Sequence, residues 1–585
     1  MRTLHDSLRI FLVKKIREAL QSLGASVDAV SDLDLCEQLV EPPNTALGDM
    51  AFGCFILAKH LKKAPPMLAQ ELKSKMSLDQ NLIRVEAAGP YLNLTLSSAF
   101  IGQSLLSGIR SGEHFKKKLT ENTPKAMIEY SQPNTHKEIH VGHMRNASLG
   151  DALVKLLRYS GYDIVSSTFP GDVGTHVAKC LWYLKFVNEE PLPTTQKGEW
   201  LGKMYSRANL LLEDQLGTPQ EADNREKLTM ILKQLEAKNG EFYDLWKETR
   251  EWSIELMKKV YAWAGVEFDQ WYWESEVDSP SVEYVKRLFA EGKFVKSEGA
   301  VGMDLEAEKL GFCLLLKSDG TGLYATKDLE LARRKFENYK IEKSIYVVDV
   351  RQELHFKQVF KVLEKLGFSQ AKDCFHLKYN FVELPDGAMS SRKGNVILLS
   401  ELIVTMEQVI KSNFLSRYKD EWTQSEIDTV AKQVAQGAIK YGMLRMDTNK
   451  KIVFDMNEWI KLDGESGPFI QYSCARIQSL VRKLGPIQEN VDWTLLTHAS
   501  ERNLMQGLMG FHSVVLGSAE NYKPHLLCTY LYDLSKRFNA FYHDCSIGHA
   551  ETEPLKQARL ALSEATGILL KQGLSLLGIP TPEKM

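Results

Sequence analysis

The chain has 585 residues and a formal net charge of −2. This length suggests about three to five domains. The charge balance excludes a bulk polycation, so any contact with nucleic acid must come from local basic patches. The eight cysteines include no CxxC pair, which argues against a zinc ribbon and a disulfide framework. Because no long apolar stretch or secretory signal is present, we expect a cytoplasmic protein without membrane contact.

Residues 1–118 are predicted to form an α+β N-terminal domain. Helical periodicity marks the segment 1–20 and the run from Ala51 to Leu61, whereas residues 82–96 alternate like strands around a Gly-Pro turn. The basic stretch Lys116–Lys118 fits a linker, at which this domain would end.

Residues 119–400 are predicted to form an α/β catalytic domain with a Rossmann-like parallel sheet. Short apolar strands alternate with helical segments, which is the rhythm of parallel βαβ units. The expected strands include Ala126–Tyr130, Asp163–Thr168, Phe312–Leu316 and Ile345–Val348. Residues 190–260 are charged and helical, as in an insertion into such a sheet. Residues 401–585 contain few turns and follow a 3.6-residue period, which predicts an all-helical C-terminal domain.

The segment Glu129–Asp151, EYSQPNTHKEIHVGHMRNASLGD, carries the strongest functional signal. A strand ends before Pro133 and a helix begins near His140, so the residues between them lie where open α/β sheets bind ligands. His140 and His143 project to one side of the helix start, where imidazoles and backbone N–H groups can donate hydrogen bonds to phosphate oxygens. Gly142 lets a planar base lie against the backbone. This arrangement favours adenylate formation, in which a carboxylate attacks an α-phosphate.

The segment resembles the HIGH signature of class I aminoacyl-tRNA synthetases and, more narrowly, the arginyl motif E-[YF]-S-S-P-N-x-x-K-x-x-H-V-G-H-x-R. The matching residues are Glu129, Ser131, Pro133, Asn134, Lys137, His140, Gly142, His143 and Arg145. Gln132 stands where the motif has its second serine. An isolated HxGH could also be a coincidence or a metal pair, but no third ligand lies nearby, so zinc is not expected.

A second segment, Asp386–Asn395 (DGAMSSRKGN), resembles the KMSKS loop, whose lysines hold the ATP phosphates in class I enzymes. Ala388 and Ser391 stand where the two lysines would be, while Arg392 and Lys393 supply two cations. The loop residues with an implied catalytic or ATP-binding role are Met389, Ser390, Arg392 and Lys393. Taken alone, the segment could also be a basic surface turn.

The resemblance also implies a compensation for the missing lysine. In arginyl enzymes with an altered loop, its role is assigned to a lysine just before HIGH, which here is Lys137. A cation there can reach the same phosphates from the opposite wall. The ATP-binding residues implied outside the loop are His140, Gly142, His143 and His355.

Residues 317–334 (KSDGTGLYATKDLELARR) closely resemble the arginyl segment DGT…Y-x-T-R-D-[IL]-A. A selective pocket for a planar guanidinium with five donors needs carboxylates and a hydroxyl. Tyr324 and Asp328 are four residues apart, so they share a helix face, and by the resemblance they bind the guanidinium. Lys327 replaces the usual arginine of the family.

Two further segments extend the implied arginine site. Glu274 lies in a stretch similar to the family's FD…ES segment, which implies a second guanidinium ligand; the alternative is a solvated helix face. Gln352 and His355 match the element DQxxHF, which implies that Gln352 faces the substrate amine and His355 lies near adenosine. The residues implied at the α-amino and carboxylate groups are Glu129, Ser131 and Asn134.

The last third resembles the helical anticodon-binding domain of the arginyl family, in runs such as FIQYSCARI and GLSLLGIPTPEKM. Aromatic faces beside cations suit splayed single-stranded bases, although helical domains also bury aromatic residues. The residues expected at tRNA here are Tyr472, Arg476 and Met585, with Tyr530, Asn539, Phe541 and Tyr542 as further candidates. GPYLN resembles part of the extra N-terminal domain that reads the tRNA elbow, which implies Asn93 near the D-loop.

The resemblance covers essentially the whole chain and implies a monomeric ligase that joins L-arginine to tRNA(Arg). ATP is consumed through an arginyl-adenylate, with Mg²⁺ accompanying ATP, no resident metal, and activation dependent on bound tRNA. Two alternatives stay open at this point: a class I synthetase for another amino acid and a non-catalytic tRNA-binding paralogue. A small HxGH nucleotidylyltransferase would be much shorter and would lack the helical third.

Overall fold

The computed structural model describes residues 2–24, 30–384, 387–388 (backbone only) and 397–585. Within these ranges the chain forms an N-terminal α+β region, a central parallel sheet covered by helices, and a C-terminal set of packed helices. The predicted multidomain architecture is confirmed. None of the described helices combines the length and the apolar character that a membrane span needs.

The N-terminal region is built on an antiparallel sheet with the strand order β1-β2-β4-β3. The hairpin between β3 and β4 turns at the predicted Gly89-Pro90 pair. The helix predicted from Ala51 is wrong over its first residues, because residues 51–53 form a fully buried strand and the helix begins only at Phe55. The elements are β1 (Leu39–Val40), β2 (Met50–Gly53), β3 (Leu82–Ala88), β4 (Tyr91–Leu96), α1 (Ser7–Ser22), α2 (Asp32–Glu37), α3 (Phe55–Leu61), α4 (Pro65–Lys75), α5 (Ser98–Ile101) and α6 (Ser107–Ser111).

The central region contains the parallel sheet and the helices that cover it. Its strands are β5 (Ala126–Glu129), β6 (Ile164–Thr168), β7 (Gln270–Trp271), β8 (Val295–Ser297), β9 (Ala300–Asp304), β10 (Phe312–Leu316), β11 (Lys343–Asp349), β12 (Cys374–Tyr379), β13 (Val382–Leu384) and β14 (Gly387–Ala388). Its helices are α7 (Val141–Tyr159), α8 (Thr175–Phe186), α9 (Lys197–Asp214), α10 (Gln220–Ala237), α11 (Glu241–Ala264), α12 (Glu274–Ala290), α13 (Tyr324–Tyr339), α14 (Glu353–Lys365) and α15 (Leu399–Ile410). The predicted helical insertion corresponds to α9, α10 and α11.

The parallel sheet has the order β12-β11-β5-β6-β7, and every neighbouring pair is parallel. The chain proceeds outward from β5 through β6 to β7 and later adds β11 and β12 on the other side of β5. The order therefore reverses between β5 and β11. A crevice opens at such a switch point, outside the carboxyl ends of the strands, and it is the usual ligand site of doubly wound sheets.

One predicted member of this sheet lies elsewhere. Phe312–Leu316 forms β10, which pairs antiparallel with β9 in a separate sheet of order β10-β9-β8. A short apolar run predicts a buried strand but does not specify its partner. A short connection joins β8 to β9 in a local hairpin, and β10 pairs with β9 of this hairpin instead of joining the parallel sheet.

The C-terminal region is helical as predicted, apart from the two-residue strand β15 (Ile452–Val453), which pairs with β13. Its first long helix begins at a capping box, in which Thr423 and Glu426 satisfy each other's backbone N–H groups. The helices are α16 (Gln424–Leu444), α17 (Met456–Trp459), α18 (Gly467–Leu484), α19 (Ala499–Met509), α20 (Phe511–Glu520), α21 (His525–Asp544) and α22 (Glu553–Leu576).

Three histidines meet where the three regions join. The ring of His114 stacks on that of His512 with centroids 4.0 Å apart, and His5 lies edge-on to His512 at 5.0 Å. Tyr159 at the end of α7 contacts Nε2 of His512 through its hydroxyl at 3.2 Å. Burial, together with the nearby charge of Lys117, lowers the pKa of His114 to about 4.

We expect this cluster to make the folded protein less stable as the pH falls. The pKa of His114 is lower in the folded chain than its ordinary value of 6.5, so protons bind the unfolded chain first. The stabilisation is thus present above pH 6.5 and is lost as the pH falls toward 4. In thermal unfolding between about pH 7 and 5, His114→Phe should flatten the decline, because it keeps the stacked ring but cannot titrate. Parallel declines for this variant, the exposed His60→Phe control and the wild type would contradict the assignment.

Candidate active site

The turn His140–His143 joins the carboxyl end of β5 to α7, for which His140 is the N-cap residue. Nδ1 of His140 accepts the Gly142 N–H at 3.1 Å, and Nδ1 of His143 accepts the His140 N–H at 3.1 Å. Because both Nδ1 atoms accept, each ring carries its proton on Nε2. With ring centroids 3.9 Å apart, the two Nε2–H groups form a paired donor site at a helix N-terminus, which suits phosphate oxygens.

Both imidazoles are uncharged donors at neutral pH. Burial, together with the charges of Arg351 and Lys137, lowers the pKa of His140 to about 4. Burial also holds the pKa of His143 well below its ordinary value. Arg351 comes from the turn after β11, where Asp349 holds its Nε at 2.8 Å. The sequence motifs did not mark this arginine, although it lies directly before the predicted Gln352.

The predicted residues Met389, Ser390, Arg392 and Lys393 lie outside the described residues. The described chain on the carboxyl side of that segment pairs with the histidine turn: Val141 donates to Ile397 O at 3.1 Å, and Leu399 donates to Ile139 O at 2.9 Å. On the amino side, the buried guanidinium of Arg145 in α7 donates to the carbonyl oxygens of residues 380 and 381. The described residues on both sides of that segment therefore lie against the start of α7 or the turn before it.

Lys137 lies in the loop between β5 and α7, as its predicted role requires. Its Nζ is 5.2 Å from the ring centroid of Tyr205 on α9. Its charge contributes to the lowered pKa values of His140, His143 and His176. Lys137 thus adds positive potential around the paired donors, where a triphosphate would be held.

Buried hydrogen bonds hold the loop that carries Lys137 in a fixed conformation. Ser131 has a positive φ of 55°. Its N–H donates to Asn146 Oδ1 at 2.7 Å, and its hydroxyl lies 2.9 Å from the Tyr261 hydroxyl. His136, which the motif analysis missed, has a φ of 60° and contacts Thr249 Oγ1 through Nε2 at 2.8 Å. These bonds hold a backbone conformation that residues other than glycine rarely adopt.

Two of the predicted arginine ligands converge beside Gly171. Glu274 is the first residue of α12 and is only 6% exposed, so the alternative of a solvated helix face is wrong. A Cβ built on Gly171 would lie 2.9 Å from Glu274 Oε2 and would also collide with Asn134 Oδ1. Asp172, which is fully buried, accepts the Ser275 N–H at 2.8 Å and so fixes the start of α12. Glu274 and Asn134 therefore approach Gly171 so closely that only glycine fits at this position.

The two residues predicted for different substrates contact each other. Asp328 Oδ2, expected at the guanidinium, lies 2.5 Å from His355 Nε2, expected near adenosine. Burial alone would lower the pKa of His355, but the hydrogen bond and the charge of Asp328 raise it above its ordinary value. Tyr324 stands at the start of α13 and is 70% exposed, and Gln352 is exposed next to α14. Tyr324 and Gln352 are therefore both open to solvent.

The negative charge of the Glu129 carboxylate is neutralised by a cation within the protein. It forms a buried ion pair with Lys335 of α13, and it also accepts from Gln132 Nε2 at 3.2 Å. Because Lys335 neutralises it, Glu129 contributes hydrogen-bonding capacity to the site more than net negative charge.

Comparison with known proteins gives family matches along nearly the whole chain. Residues 11–96 match the model for the arginyl tRNA synthetase N-terminal domain, 104–456 that for the catalytic domain of class I (R) tRNA synthetases, and 470–585 that for the DALR anticodon binding domain. An arginine–tRNA ligase of Bdellovibrio bacteriovorus is 63% identical, and the match covers 99% of this chain and 100% of that protein. This chain belongs to the arginyl-tRNA synthetase family. An arginine–tRNA ligase of Clostridium botulinum is 35% identical over 95% of this chain and 97% of its own length.

The fold agrees with this family. The structure of Thermus thermophilus arginyl-tRNA synthetase matches with a TM-score of 0.81 and 26% identity, covering 99% of this chain and 100% of that one. The arginyl-tRNA synthetase of Plasmodium falciparum, at 21% identity, shares the fold with a TM-score of 0.76. The predicted family and architecture are therefore confirmed, whereas the individual site residues stay predictions.

The anticodon domain of this synthetase presents some of the predicted tRNA contacts at its surface. The guanidinium of Arg476 lies over the Tyr542 ring at 4.1 Å from its centroid, and Tyr472 is half-buried on the same helix. The backbone carbonyl of Met585 accepts the Tyr418 hydroxyl at 3.3 Å. Phe541 is fully buried, so its predicted base contact is wrong for this conformation, because a core ring cannot stack on RNA.

The prediction for the N-terminal domain meets a similar obstacle. Asn93 lies on β4, between Ala51 of β2 and Glu86 of β3, and it is only 4% exposed. This burial speaks against direct contact between its side chain and a D-loop. The motif match identified Asn93 by its position in the sequence, but it carried no information about the face of the strand on which the side chain lies.

Proposed function

We propose that this chain ligates L-arginine to tRNA(Arg) through an arginyl-adenylate, consuming ATP and releasing AMP and pyrophosphate. The proposal rests on one juxtaposition at the rim of the parallel sheet. We infer that neutral imidazole donors and the cation of Lys137 line one side of a crevice there, and that the carboxylates of Glu274 and Asp328 line the other. Nε2 of His176 lies 3.3 Å from Gly171 O, beside Glu274.

In the first step the carboxylate of arginine attacks the α-phosphorus of ATP. A new P–O bond forms, and the bond to pyrophosphate breaks. Negative charge grows on the phosphate oxygens. The Nε2–H groups of His140 and His143 would donate hydrogen bonds to these oxygens. In the second step a ribose hydroxyl at the tRNA terminus attacks the carbonyl carbon, AMP leaves with the electron pair of the broken C–O bond, and the hydroxyl proton is released to solvent. Positioning and charge stabilisation carry both steps.

The roles proposed for the remaining residues follow the two sides of the crevice. The guanidinium ligands are Tyr324, Asp328 and Glu274, and the ligands of the α-amino and carboxylate groups are Glu129, Ser131, Asn134 and Gln352. The ATP-binding and catalytic residues are Lys137, His140, Gly142, His143, His355, Met389, Ser390, Arg392 and Lys393. The proposed tRNA contacts are Tyr472, Arg476 and Met585.

We also retain a cytoplasmic monomer with domain limits 1–118, 119–400 and 401–585 as a proposal. Among the described residues, no group of three histidine, cysteine, aspartate or glutamate side chains is placed to hold a metal ion. Mg²⁺ would enter on the phosphates of ATP, and no step of the proposal is routed through it.

The test is aminoacylation of tRNA(Arg) with each of the twenty amino acids in turn. Arginine alone should be attached, and Asp328→Asn should raise KM for arginine by about 100-fold, because a buried hydrogen-bonded charge pair with the guanidinium is lost. KM for ATP should change far less. Attachment of another amino acid would favour a different class I synthetase. Binding of tRNA without any attachment would favour the non-catalytic paralogue.

A further inference from the structure

Lys327, on the first turn of α13, is the residue of the arginine pocket that departs from the family segment, which has arginine there. Its ammonium group forms an ion pair with Oε1 of Glu274 and lies 3.0 Å from Oδ1 of Asp278. The side chains of Lys327 and Glu274 are only 12% and 8% exposed. A shielded pair of this kind holds its two groups in place more firmly than a surface ion pair does.

The second oxygen of Glu274 points the other way. Oε2 faces Gly171, where an added Cβ would lie 2.9 Å from it, and Asn134 Oδ1 borders the same space. The backbone under Glu274 is fixed by Asp172, whose carboxylate also accepts the Ser275 hydroxyl at 2.7 Å. The two carboxylate oxygens therefore have different neighbours: Oε1 contacts the Lys327 ammonium, and Oε2 lies beside Gly171 and Asn134.

Resting on the proposed role of Glu274 as an arginine ligand, we infer that Lys327 is a positioning residue for arginine recognition, which holds Oε1 of Glu274 and leaves Oε2, beside Gly171 and Asn134, to accept the guanidinium. A carboxylate commonly receives a guanidinium through both oxygens at once. Here one oxygen is already engaged, so Glu274 offers a single-oxygen contact. The other guanidinium donors remain for Asp328 and Tyr324.

The surrounding charges explain why Glu274 needs this cation. Burial raises the pKa of Glu274, and the charge and hydrogen bond of Lys327 oppose that rise, while Asp172 and Asp278 add to it. Further ionisable groups near Glu274 and Gly171 are Tyr324 on α13, His176 on α8, whose Nε2 lies 3.3 Å from Gly171 O, and Arg250 on α11, which bonds to Asp172. Without Lys327, Glu274 would take up a proton at a higher pH and lose its attraction for a guanidinium.

The experiment compares wild type, Lys327→Met and Lys327→Arg in aminoacylation of tRNA(Arg) between about pH 6 and 9. For Lys327→Met we expect KM for arginine to rise about tenfold near neutral pH, with kcat and KM for ATP little changed. The pH below which KM rises should move up by about one unit. Lys327→Arg should restore both values, because it keeps a cation between Glu274 and Asp278.

Glu274→Gln separates this inference from the proposed function. If Glu274→Gln leaves KM for arginine unchanged, the proposed role of Glu274 is wrong and the inference is overturned with it. If Glu274→Gln raises KM while Lys327→Met keeps the wild-type KM and pH profile, only the inference is overturned. Should Lys327→Met be insoluble, Lys327→Gln, which is also uncharged, is read by the same criteria.

Discussion

His143→Asn is expected to lower kcat for arginine activation by about 100- to 1000-fold, the usual effect of removing one preorganised donor to a developing charge. The side-chain oxygen of asparagine can replace Nδ1 as the acceptor of the His140 N–H, a bond of 3.1 Å in the wild type. It cannot replace the Nε2–H donor. The loss would therefore be in chemistry and not in folding. Pyrophosphate exchange with tRNA present measures it, and tRNA affinity should stay near the wild-type value.

His143→Gln is the matched control, because its amide nitrogen reaches the position of Nε2 while the capping acceptor is lost. We expect this variant to be less stable than His143→Asn but more active. The reverse order of activities would mean that His143 acts through the helix cap and not through phosphate. Wild-type activity in both variants would remove His143 from the catalytic set.

Lys440→Met is expected to lower the free energy of unfolding by roughly 3 kcal/mol. Lys440 is fully buried in α16, where its ammonium donates to Asp151 Oδ2 of α7 and to Ala264 O of α11, both at 2.8 Å. Gly578, with a φ of +68°, packs so closely that a Cβ there would collide with both members of the pair. Removal of the cation leaves Asp151 buried beside the partly exposed Lys155.

Chemical denaturation followed by circular dichroism measures this effect, with the exposed Lys432→Met on the same helix as the control. The double variant Asp151→Asn/Lys440→Met should recover part of the loss, because it no longer buries an unpaired carboxylate. A Lys440→Met variant as stable as Lys432→Met would show that the pair does not hold α7 to the C-terminal helices.

The sequence was most informative where backbone geometry and chemistry coincide. The polar run after an apolar strand, followed by two histidines at a helix start, was enough to locate the N-terminus of α7 at His140. Helical periodicity located the insertion and the C-terminal helices, because a long amphipathic period is a strong signal. The resemblance to arginyl enzymes supplied the substrate, which no periodicity could give.

The partners of buried charges could not be read from the chain. Lys335 pairs with Glu129 across 206 positions, and Lys440 with Asp151 across 289. Such pairs depend on how helices pack, and local patterns carry no information about that. The burial of Asn93 and Phe541 was missed for the same reason, since a motif match identifies a residue type but not the face it occupies.

The central claim is that a guanidinium pocket and a triphosphate cradle share one crevice at the rim of the parallel sheet. A crystal structure with L-arginine, a non-hydrolysable ATP analogue and tRNA(Arg) tests it most directly. We predict the guanidinium between Asp328 and Glu274, and phosphate oxygens within about 3.2 Å of Nε2 of His140 and His143. Arginine bound away from these carboxylates, or separated from the nucleotide by protein, would contradict the account.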